Sequence, residues 1–150
     1  MSVSATVAGI QAVNAAITGI TSAPSTMPAS LNSSALPFAI TIPGPAVWKN
    51  ASAGFGHQLR IYIVRFYVAP IARDIPADGG FQDALTLIQA VGDAYMADTT
   101  FGGVVQTVDS DGPQDGIIDN GVVANMTYGS EGTPYWGFEF QVVTKETETW

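Results

Sequence analysis

Gln58-Leu-Arg-Ile-Tyr-Ile-Val-Arg-Phe-Tyr-Val-Ala-Pro70 is the stretch on which the fold turns. Its β-branched, aromatic and long side chains suit a pleated surface packed on two sides. Alternation puts Leu59, Ile61 and Ile63 on one face and Tyr62, Val64, Phe66 and Val68 on the other. A strand apolar on both faces belongs in the middle of a sheet, with something covering each side. Arg60 and Arg65 sit within it, one on each face, and are two of only five basic residues in the chain. Pro70 has no N–H to give to a ladder, so the strand is expected to stop there.

Around this strand the 150 residues suit a single domain, 1–150, large enough to bury a core. The chain is 47% hydrophobic but only 12% charged, about half the usual charged share. Its surface must therefore be built of small polar residues and apolar atoms, a composition suited to contact with another subunit. The net charge is −8 and the basic residues form no run. Phosphate binding needs clustered Lys or Arg, so a groove for DNA or RNA is not expected. With no cysteine there are no disulfides, thiolate metal sites or Cys nucleophile. Residues 1–20 lack the basic start and long apolar core of a signal peptide, and no run has the roughly 18 apolar residues of a membrane span.

Upstream of the core strand, Val7, Ile10, Ile17 and Ile20 fall on one helical stripe flanked by Val3 and Val13, with alanines, Gln11, Asn14 and Thr18 opposite. This predicts an N-terminal helix within 1–20, capped by Ser2 or Ser4. The Pro/Ser/Thr stretch Thr21–Ala35 reads as a loop. Leu36–Ile42 alternates as a short strand closed by Pro43-Gly-Pro45. Residues 43–57, carrying Trp48 and Phe55, read as a long hairpin-like arm between strands, of a length usually kept for function.

Downstream, Asp78 is the expected N-cap of a helix Phe81–Ala97 whose apolar face is Phe81, Ala84, Leu85, Ile88, Val91, Gly92 and Tyr95. Phe101–Val108 and Ile117–Met126 read as strands, the second broken by the Asp119-Asn120-Gly121 turn signal. Tyr135–Val143 alternates most cleanly, with Trp136, Phe138, Phe140 and Val142 inward and Glu139 and Gln141 outward. Thr144–Trp150 reads as a polar tail. The whole is an α+β domain: an antiparallel or mixed sheet of about four to six strands, two helices packed on it, and the arm.

Chemistry-bearing patterns are weak. Asp109 and Asp111 have the spacing of the first two ligands of a calcium loop. Pro113 then stands where the third ligand belongs, and Asn120 replaces the closing Glu, so the segment is better read as a turn than as a metal site. A calcium-dependent binding module using Asp109, Asp111 and Asp115 is kept as an alternative. His57 is the only histidine and reads as a turn residue. No spacing selects a catalytic pair from Asp74, Asp78, Asp83, Asp93 or Glu139. Gly102-Gly103 lacks the continuation of a phosphate loop. The reading is a non-enzyme with no cofactor. Arg60 and Arg65 either pair with carboxylates at the rim of the core or face a subunit interface or channel. With Trp48, Phe55 and Trp150 they are the candidate interface residues.

Leu36-Pro-Phe-Ala-Ile, Pro45-Ala-Val-Trp, Leu59-Arg-Ile-Tyr, Phe66-Tyr-Val-Ala-Pro70 and Tyr135-Trp-Gly-Phe-Glu-Phe-Gln-Val occur in the order helix, strand, arm, core strand, helix, antiparallel strands. Over Ala5–Val143 this resembles the tail-terminator family of long-tailed bacteriophages, with its related neck and tail-completion proteins. The alanine-rich first helix and the aspartate-rich turn depart from that pattern. The resemblance implies a structural virion protein, assembled in the host cytoplasm. Six copies would ring the last tail-tube ring, stop its growth and meet the neck or head connector. Its partners would be itself and those tube and neck proteins, with DNA passing through an acidic bore that repels phosphates. Another neck or connector protein, or a tail-tube subunit, is the alternative within the same class.

Overall fold

The computed structural model describes residues 2–71, 77–103, 107–108, 116–130 and 132–149. In chain order these form α1 (Val3–Ala15), a 3-10 turn (Ser33–Ala35), β1 (Phe38–Ser52), β2 (Phe55–Pro70), α2 (Ala77–Ala97), β3 (Thr107–Val108), β4 (Ile117–Met126) and β5 (Tyr135–Thr149). The sheet is antiparallel in the order β1-β2-β5-β3, and β4 pairs with β5 further along the same edge. The α+β expectation holds.

The core strand is central, as its two apolar faces require. β2 is flanked by β1 over Phe38–Ser52 and by β5 over Tyr135–Thr149. Its face of Tyr62, Val64, Phe66 and Val68 is buried with Phe138, Phe140 and Val142 of β5 under α1 and α2. Phe66 stacks on Phe138 at 4.6 Å, and Tyr95 of α2 meets Phe140 edge-on at 5.7 Å. The opposite face is covered only at one end. There Phe38, Ile40, Tyr67, Met126, Tyr128 and Tyr135 form a second cluster under the loop residues Leu31, Ala35 and Leu36. Tyr128 donates to the Pro28 carbonyl and Tyr67 to that of Thr127, fastening the cover.

Several sequence expectations are corrected. Pro43-Gly-Pro45 does not close β1. The strand is an edge, where a missing N–H costs no ladder bond, and it passes through a bulge between Pro43 and Ala46. Gly44 allows this, because a Cβ there would lie 2.8 Å from the Ile61 carbonyl oxygen. Residues 43–57 are therefore the far half of a continuous hairpin that turns at Ala53-Gly54, not a loop between strands. The residues read as a polar tail are strand as far as Thr149, pairing with β2 as far as Phe55.

α1 ends at Ala15, capped by the Ser2 hydroxyl accepting from the Ala5 N–H, so Ile17 and Ile20 lie beyond the helix. α2 begins at Ala77, so Asp78 lies inside its first turn and not at a cap before Phe81. Its buried stripe is Ala84, Leu87, Val91 and Tyr95. Leu85, expected inward, is exposed, and a side chain at Gly92 would meet open space. Phe101–Gly103 is a turn, with Phe101 buried against Tyr95, so the strand expected from Phe101 is reduced among the described residues to Thr107–Val108. β4 spans its expected Ile117–Met126. Its Asp-Asn-Gly signal makes a bulge instead of a turn, with Gly121 at φ +79° and its N–H bonded to Asp119.

Candidate interface

Beyond Ile61 the sheet keeps its strands but loses its second cover. β1, β2 and β5 run on side by side to Ser52, Phe55 and Thr149. On that partly covered face Ile42, still packed at the margin of the second cluster, lies opposite Ile63, and past it Ile61 lies opposite buried Val143 and Val47 opposite Leu59. Leu59, Ile61 and Ile63 are only half-buried, and Val47 is 57% and Phe55 47% exposed. Trp48, opposite Gln58, is on the other face and 54% exposed. Three large apolar side chains thus share one end of the molecule on both faces of a ribbon. Large exposed apolar side chains gathered at one end of a fold are what a contact surface presents.

Of the residues expected at an interface, Trp48 and Phe55 are brought to this end together. Trp150 lies outside the described residues. Arg65 is placed otherwise. Its Nε donates to Glu139 Oε1 at 2.9 Å, and Glu139 Oε2 accepts from Asn120, linking β2, β5 and β4 across the sheet. That hydrogen bond, more than any other influence, raises the guanidinium pKa. Arg65 therefore follows the carboxylate-pairing reading. Arg60 gives its Nε to Gln58 at 3.0 Å and a terminal nitrogen to the Gly44 carbonyl at 2.8 Å, so it braces the β1 bulge.

Beneath α1 lies a polar seam that the sequence did not reveal. The helix buries Thr6, Gln11 and Asn14 beside Ile10. Gln11 Nε2 donates to the carbonyls of Pro24 (2.6 Å) and Ala39 (2.9 Å), and its Oε1 accepts from Asn14 and Thr41, both at 2.9 Å. The Tyr95 hydroxyl donates to Asn14 Oδ1 at 2.6 Å. Towards the hairpin, buried Glu146 accepts from Thr6 and, at 3.0 Å, from Tyr62. Burial, and then the Glu146 carboxylate, push the Tyr62 hydroxyl pKa far up, and burial does the same to Tyr95. Both hydroxyls are held neutral and engaged by buried acceptors, Glu146 and Asn14, so the seam orients α1 on the sheet. The only sequence signal for it was a helix with few large apolar residues.

Between the second half of α1 and the C-terminal part of α2 lies an open, mostly apolar groove of about 730 Å³. No described group of three His, Asp or Glu residues is placed to hold a metal. His57 is half-buried in β2 opposite Lys49, in a strand and not a turn. Asp83 and Asp93 are exposed on α2, while Asp74, Asp109, Asp111 and Asp115 lie outside the described residues. Among the described residues no helix is long and apolar enough to cross a membrane. The chain matches no model of a known protein family, and no curated protein shows significant sequence similarity to it.

Proposed function

We propose that the chain is a self-assembling structural subunit of the tail-terminator type, which closes a ring on the end of a phage tail tube and meets the neck on its other side. The observation that carries this is the far end of the sheet, where Val47, Trp48 and Phe55 are exposed together on a three-stranded extension of the core. In this reading the extension is the arm, and its apolar side chains are buried against a neighbouring copy. The low charged share of the sequence supports it, because subunit contacts are depleted in charge. The resemblance of the β1, β2 and β5 segments to tail terminators supplies the ring, the tube and neck partners, and the place in the virion after assembly in the host cytoplasm.

Light scattering of the purified chain after size exclusion, with electron microscopy of the same fractions, tests this. Closed rings of about 94 kDa, six copies of 15.6 kDa, that bind the ends of purified tail tubes are the expected result. Open filaments would replace the terminator by a tail-tube subunit. A chain that neither forms rings nor caps tubes would overturn the proposal.

A further inference from the structure

The exposed hairpin and the open groove lie at opposite ends of one molecule. α1 marks the direction. Thr6 meets Glu146, which pairs with Gln58 near the hairpin, whereas Gln11 meets Ala39 and Thr41, and Asn14 meets Tyr95. The groove, which runs from Gly9 at the middle of α1 past its C-terminal end, therefore overlies the half of the sheet around Phe66. From Phe55 to Phe66 is eleven residues of strand, about 35 Å. A hairpin cannot fold back over that distance onto its own groove, so a groove filled by a hairpin is filled by another copy.

We infer that the hairpin end of one copy, residues 47–55, docks in the α1–α2 groove of the next. This rests on the self-assembly reading and names its contact. The shapes correspond. The hairpin is a ribbon with an apolar side chain on each face, Trp48 on one and Val47 and Phe55 on the other. The groove has two walls, with Ala12 and Ala16 on α1 and Ala90 and Ala94 on α2. At about 730 Å³ it has the size of a site that encloses several side chains. The charges correspond as well. The groove is edged by Asp93 and Asp98, and the hairpin carries Lys49, one of the five basic residues of the chain, on the face of Val47 and Phe55. In a chain with so few cations, one on that apolar face gives the contact a polarity and a register. Knob and hole on opposite ends make the contact heterologous, so it propagates from copy to copy and closes only where the rotation permits.

Two singly defective proteins test this directly. Trp48→Ala/Phe55→Ala removes the hairpin anchors and leaves the groove. Ala12→Arg, at an exposed helical position, fills the groove and repels Lys49 while leaving the hairpin. The melting temperature of each should stay within a few degrees of the parent, since none of these residues is in the core. Each alone should run as a monomer. Mixed in equal amounts they should form a one-to-one dimer and nothing larger, because only one intact knob and one intact hole remain. Asp93→Lys should weaken assembly at least tenfold, and Lys49→Asp in the same chain should restore it. If the parent forms rings and these variants form them equally well, the docking site is wrong while the self-assembly reading stands. If the mixture fails to dimerise, or dimers form from either variant alone, the head-to-tail contact is wrong. A parent that stays monomeric overturns the contact and the self-assembly reading together.

Discussion

Replacing Gln11 by Met separates the polar seam from everything else that holds α1. Met has nearly the same length, volume and helix propensity, so neither cavity nor fraying accompanies the change. What disappears is one amide that makes four hydrogen bonds: to the carbonyls of Pro24 and Ala39, to the Thr41 hydroxyl and to the Asn14 amide. Three of these contacts are buried. A buried polar group left without its partner costs about 1 to 3 kcal/mol. Taking the low end for each, because a hydroxyl and an amide can reorient, gives a loss of about 3 kcal/mol. With a urea dependence of about 2 kcal/mol per molar for a domain of this size, the unfolding midpoint should fall by about 1.5 M. Ser2→Ala, which removes only the cap of the same helix, should cost about 1 kcal/mol and serves as the internal comparison. If Gln11→Met cost no more than Ser2→Ala, the seam would not be what fixes α1 to the sheet.

Gly137→Ala should prevent folding or cost several kcal/mol, because its Cβ would sit 2.2 Å from the Phe66 carbonyl oxygen; soluble yield and urea melts report it. Glu139→Gln removes the partner of an Arg65 side chain that is 40% exposed, so the loss should stay below about 1 kcal/mol in the same melts. Alkaline unfolding reads the buried phenols. Tyr62 and Tyr95 are both held above the unfolded value of about 10, so the stability they give is complete below pH 10 and declines as pH rises past it. The decline should approach about 1.4 kcal/mol per pH unit for each, and Tyr95→Phe should remove one share of that slope while costing the bond to Asn14. Midpoints measured from pH 9 to 11 that show no such slope would refute the assignment.

The central strands were legible because each residue of β2 and β5 carries its own evidence. Phe66, Phe138 and Phe140 alternate at strand period and are packed face to face and edge-on in the core. α2 was legible for the same reason, although Leu85 and Leu87 are two residues apart and only packing decides which turns inward. The interface candidates divide along similar lines. Trp48 and Phe55 were conspicuous as large aromatics in a glycine- and alanine-rich stretch, whereas Val47, equally exposed, looked ordinary. Three features could not be read locally. The seam under α1 depends on partners that are 13 to 140 residues away, so Gln11 and Asn14 fell on the face read as opposite the apolar stripe. The course of β1 past Pro43 depends on its being an edge, which is a property of the sheet and not of the strand. The strand beyond Val143 was disguised because polar Thr144 and Glu146 alternate as apolar residues would, and are buried with partners from elsewhere, the Arg60 carbonyl of β2 for Thr144 and Thr6 of α1 for Glu146.

The outer margin of β1 is closed to further backbone pairing along much of its first half. Ser22 bridges Phe38 and accepts from the Ala39 N–H, and Pro43 and Pro45 have no N–H to present. A sheet with this much exposed aliphatic surface would otherwise be a template for strand-on-strand stacking and fibrous precipitation. With that margin blocked, copies that meet there must recognise one another by side chains, through contacts that can form, dissociate and be corrected. If the chain assembles as proposed, the two prolines would keep its associations reversible until a partner of the right shape is found.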